Sequence, residues 1–80
     1  MIMIDIFVPS LYEAFDFEIN EKATLEEVLK FLPVIIEKKC GVKFDTPPVT
    51  LFSYRKGELI KKNISLSKQG ILNGDRLILI

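Results

Sequence analysis

Residues 65–80 read SLSKQGILNGDRLILI, and the rest of the chain makes sense around them. The stretch opens as one short turn of helix and stops at Gly70, because glycine adopts the left-handed conformation that lets a chain reverse. Ile71 follows as an apolar plug for a core. Asn73-Gly74 is a strong hairpin signal, yet only Ile71-Leu72 stands before it, too little for a strand. A plain turn is therefore expected, leading into a strand over residues 75–80. Nothing in the stretch has the look of catalytic equipment.

Working back to the start, residues 2–8 alternate as a strand does, with Ile2, Ile4, Ile6 and Val8 on one face and Met3, Asp5 and Phe7 on the other. Pro9-Ser10 punctuates. Residues 12–19 then give a second strand, with Phe15, Phe17 and Ile19 on one side and Ala14, Asp16 and Glu18 on the other, so the pair reads as an antiparallel hairpin. Its apolar side needs a cover. Thr24-Leu25-Glu26-Glu27 has capping-box form, and Leu25, Val28, Leu29, Leu32 and Ile36 follow in a helical stripe. Glu26 and Lys30 are spaced for a favourable pair, Lys38 and Lys39 suit the negative end of the helix dipole, and Gly41 can close the helix. Pro33 predicts a kink or a break near Leu32, since an interior proline costs on the order of 3 kcal/mol.

Asp45-Thr46-Pro47-Pro48 reads as a loop, residues 49–54 as a third strand, and Arg55-Lys56-Gly57-Glu58 as a turn into a brief fourth at Leu59-Ile60. One helix and several one-sided strands imply an α+β fold, with the helix packed across one face of a mixed sheet of four to five strands. The apolar ends MIMIDIFV and RLILI are expected side by side and parallel at its centre. The opposite face then has nothing to cover it. Met3, Phe7, Phe52, Tyr54, Ile78 and Ile80 are expected there as a protein-interaction face. A second copy stacking its own sheet on that face would make a homodimer instead.

Length and composition bound the rest. Eighty residues make one domain, 1–80, and 49% hydrophobic residues exclude a disordered chain. Eleven basic residues balance eleven acidic ones, against the basic excess of a nucleic-acid binder. The balance is uneven along the chain: residues 1–40 hold eight acids and four lysines, and residues 41–80 seven basic residues and three acids. With no histidine, His-based acid–base catalysis, Ser/Cys–His nucleophiles and His metal sites are excluded. The lone Cys40 excludes an internal disulfide and an iron–sulfur cage, and beside Lys39 it reads as an inert, partly buried thiol. No cofactor and no enzymatic role are expected. The N-terminus is a poor signal peptide, and the longest apolar run, residues 31–36, is far short of the ~20 that span a bilayer, so a cytoplasmic protein without membrane insertion is expected.

The element order and closing stretch resemble the ubiquitin-like β-grasp family. Gly41-Val42 after the helix and Pro47-Pro48 before the third strand resemble ubiquitin's helix exit, with four residues between the pairs here. Leu66-Ser67, Gly70-Ile71 and Asn73-Gly74-Asp75-Arg76-Leu77 are similar to the closing signature of the YukD/EsaB-type bacterial ubiquitin-like proteins. That resemblance implies a non-catalytic accessory or regulatory module of a bacterial type VII (WXG100) secretion system, with secretion components as partners. The alternative is a β-grasp adaptor in another bacterial pathway, binding a protein or a small GTPase. Ubiquitin and sulfur carriers end in a Gly-Gly tail, whereas this sequence stops at Ile80, so conjugation is not expected. The interaction face comes from alternation alone and not from the resemblance.

Overall fold

The computed structural model describes residues 1–80. Strand β1 (Ile2–Val8) and strand β2 (Glu13–Ile19) form the expected antiparallel hairpin, with Ile4 opposite Phe17 and Ile6 opposite Phe15. A 3-10 turn, Pro9–Leu11, joins them, closed by Tyr12 in the left-handed region at φ 53°. Helix α1 (Leu25–Cys40) crosses to β3 (Leu51–Ser53) and β4 (Glu58–Leu59); a second 3-10 turn, Ser67–Gln69, precedes β5 (Arg76–Leu79). The five-stranded sheet has the order β2-β1-β5-β3-β4. Only β1 and β5 pair in parallel, and they lie at the centre as their apolar sequences predict.

The core lies between the sheet and α1. Ile4, Ile6 and Val8 of β1 face Leu25, Val28, Leu32 and Ile36 of the helix, and all seven are buried. The helical four recur at 25, 28, 32 and 36, one stripe of an amphipathic helix, and each buried side chain stabilises the fold by about 1.5–3 kcal/mol. Leu77 and Leu79 of β5 and Leu51 of β3 complete the floor of the sheet, and Ile71 fills the corner left after Gly70, 3% exposed.

Local signals set the ends of the helix. The Thr24 hydroxyl accepts from the Glu27 amide at 3.2 Å while the Glu27 carboxylate accepts from the Thr24 amide at 3.1 Å, a closed capping box. Gly41 closes the other end at φ 68°, its amide bonded to the Glu37 carbonyl.

Four local expectations change or narrow. Of the kink or break expected at Pro33, the break is excluded: the helix runs on from Leu25 to Cys40, with buried Leu32 before the proline and buried Ile36 after it on the same sheet. Glu26 and Lys30 form no ion pair; both side chains are exposed, where such a pair gains little. The third strand is shorter than residues 49–54, although its flanks stay tied to β5: Val49 and Thr50 donate to the Ile80 carbonyl at 2.9 and 3.2 Å, and Tyr54 to the Arg76 carbonyl at 3.1 Å. The fourth strand falls one residue early, leaving Ile60 to turn inward, 4% exposed.

Candidate interaction surface

The closing stretch acts as the frame of the surface. The Asn73 side-chain carbonyl accepts from the Met3 amide at 2.7 Å, and the Gly74 amide donates to the Met3 carbonyl at 2.7 Å. Together they fasten the start of β1 to the turn before β5. Asp75 is 7% exposed, and its carboxylate receives Arg55 Nε at 2.8 Å, Arg55 Nη2 at 2.9 Å and the Leu72 amide at 2.8 Å. The Arg55 hydrogen bonds hold the Asp75 carboxyl below the usual carboxylate range, against the burial that raises it and with help from the Leu72 amide. Gln69 does similar work opposite, its amide bonding both the amide and the carbonyl of Lys61 at 2.7 and 2.9 Å. These contacts position β5 between β1 and β3.

On the face away from the helix, one row of side chains runs across the sheet in register. Phe7 lies opposite Ile78, Ile78 opposite Phe52, and Phe52 opposite Leu59. The first three are half-buried by one another, while Leu59 is 58% exposed. Tyr54 and Ile80, two residues along from Phe52 and Ile78 on the same face, are 69% and 55% exposed. Open-face alternation therefore places these predicted residues together.

Met3 stands apart. It shares the face and is 44% exposed, but Asp5 lies between it and Phe7, and the Asp5 carboxylate is ion-paired with Arg76 on the neighbouring strand. A charged pair thus separates Met3 from the apolar row. Leu59 belongs to the row and was missed by the sequence reading, although its place opposite Phe52 across a tight turn was the signal for it. Beyond Ile80, the row reaches an open groove of about 370 Å³ between Pro9-Ser10, Phe44 and the proline loop of residues 46–49.

No protein-family model matches the sequence, and no curated protein matches it. Solved structures do. The ubiquitin-like domain of an Arabidopsis thaliana protein superposes with a TM-score of 0.72 at 16% identity, covering 99% of this chain and 74% of that one. A protein designed de novo on the basis of ubiquitin superposes with a TM-score of 0.66 at 19% identity, covering 99% of this chain and 85% of the design. This is a ubiquitin-like β-grasp fold. At such low identity the likeness rests on the fold, which in this chain is one helix over a mixed five-stranded sheet. A β-grasp sheet with its helix on one side leaves the other side open, and here that side carries the Phe7–Ile78–Phe52–Leu59 row. None of its helices is long and apolar enough to cross a membrane.

Proposed function

We propose that this chain is a ubiquitin-like protein-interaction module, one β-grasp domain over residues 1–80, that docks partners non-covalently and performs no catalysis of its own. The observation that carries the reading is the apolar row Phe7, Ile78, Phe52 and Leu59, extended by Tyr54 and Ile80 on the uncovered side of the sheet. A contiguous apolar patch on an uncovered face is a usual mark of a protein interface, and aromatic side chains are among its common anchors.

The finer reading is an accessory or regulatory role in a bacterial type VII (WXG100) secretion system, on the cytoplasmic side. Its support is the likeness of Leu66-Ser67, Gly70-Ile71 and residues 73–77 to the YukD/EsaB closing signature. Asn73 and Asp75 of that signature serve the fold, through Met3 and Arg55, so the signature supports the subfamily while the apolar row supplies the contact.

A pull-down of the tagged protein from its own cells, run under native and denaturing conditions, tests both levels. Secretion-machinery subunits recovered only under native conditions support the full reading. Recovery of other proteins whose binding depends on Phe52 and Ile78 keeps the docking module and replaces the secretion role with an adaptor in another pathway. Adducts that survive denaturation overturn non-covalent docking.

A further inference from the structure

We propose that the free edge of β2 accepts an extended segment of a partner protein in which basic side chains alternate with apolar ones. β2 is an outer strand of the sheet. In β1 the amide and carbonyl of Met3 and the amide of Asp5 turn toward the β5 side, bonding Asn73, Gly74 and Asp75. The alternate residues Ile4 and Ile6 therefore bond Phe17 and Phe15 of β2, and the backbone groups of Ala14, Asp16 and Glu18 point outward from the sheet. No loop or turn hydrogen bond reaches any residue of β2, so this edge is an unpaired strand template.

The side chains on the two sides of that edge define what would fit. Ala14, Asp16 and Glu18 are exposed on the open face, so an added strand would set its own open-face residues directly against two carboxylates. Neither carboxylate is held by an ion pair within the chain. Lysine or arginine at alternate positions complements them. On the helix side the added strand would lie over half-buried Phe15. Next to it is Phe17, from whose ring centre the Lys39 ammonium of α1 stands 5.7 Å. Apolar residues suit that flank. A second copy of the chain does not, because pairing of two β2 edges would oppose carboxylate to carboxylate.

The test uses isotope-labelled protein titrated with a short peptide alternating lysine and valine, followed by amide shifts and amide hydrogen exchange. The result expected is saturable binding with shifts and slowed exchange at the amides of Ala14, Asp16 and Glu18. A peptide of identical composition with its lysines clustered should bind more weakly and leave exchange at those amides unchanged. The charge-reversed variant Asp16→Lys/Glu18→Lys should lose roughly tenfold or more in affinity, as two attractive cross-strand pairs become repulsive, and should gain binding to the glutamate–valine peptide. Phe52→Ala/Ile78→Ala should leave the titration unchanged, which separates this edge from the sheet face proposed above. Shifts confined to the sheet face, equal binding of both lysine peptides, or edge protection that rises with protein concentration without peptide would each overturn the proposal.

Discussion

The guanidinium of Arg55 straddles the carboxylate of Asp75, with Nε 2.8 Å from one oxygen and Nη2 2.9 Å from the other. Arg55 comes from the turn between β3 and β4, Asp75 from the turn before β5, and Arg55 also reaches the carbonyl of Gly70. One side chain thus ties the β3–β4 turn to the bend in which Ile71 is seated. Asp75→Ala removes the acceptor for both Arg55 and the Leu72 amide, and should lower stability by about 1–3 kcal/mol in chemical denaturation. Unchanged stability would mean that the carboxylate is held only by solvent-screened contacts.

The same carboxylate makes stability depend on acid. Arg55 lowers its pKa in the folded protein, so the folded state keeps the charge at pH values where the unfolded chain takes up a proton. Its contribution is complete above the unfolded aspartate value of about 4 and drains away as pH falls through the lower folded value. Unfolding midpoints measured down the acid range should therefore fall less steeply for Asp75→Asn than for the parent chain. Parallel curves would remove Asp75 from the acid transition.

Thr24 starts the only long helix, and its hydroxyl satisfies the Glu27 amide. Thr24→Ala should cost about 1 kcal/mol, with Thr24→Ser close to neutral, read from thermal or denaturant unfolding.

Tyr12 sits at φ 53° with 91% of its surface exposed. A bulky residue pays roughly 1–2 kcal/mol for the left-handed region, which glycine enters freely. Tyr12→Gly should therefore raise stability by up to about 1 kcal/mol. A loss would show that the ring makes a stabilising contact with the hairpin.

Phe52 and Ile78 face each other on the open side of the sheet. Phe52→Ala/Ile78→Ala should leave a folded protein with a native amide spectrum while partner binding falls by tenfold or more, as loss of central interface anchors does. Unfolding of the pair variant would place those side chains in the core.

The sequence was most readable where the physics is local. The period-two pattern of β1, the Thr24–Glu27 box, the 25/28/32/36 stripe and the Gly70-Ile71 stop-and-plug each depend on neighbours within a turn or two, and each folds as it reads. The open face was legible for the same reason, since alternation decides which side of a strand a residue takes. What the sequence hid was tertiary. The ion pair between Arg55 and Asp75 spans 20 residues, and the bond from the Met3 amide to Asn73 spans 70. No spacing rule connects such positions. The separation of Met3 from the apolar row has the same origin, because the Asp5–Arg76 pair exists only once β1 and β5 lie side by side. Pro33 shows the converse: the local signal left a kink or a break open, and burial on both sides of the proline keeps the helix continuous.

The placement of β5 has a further consequence for how the protein is made. Its central strand is the last of the five to be synthesised, and until it arrives the β1–β2 hairpin and the β3–β4 pair have no strand between them. The nascent chain must carry its apolar β1 unpaired on one side until β5 has emerged. Arrival of Arg76–Leu79 then joins both halves of the sheet at once, so the order of synthesis makes closure of the sheet a late, single event.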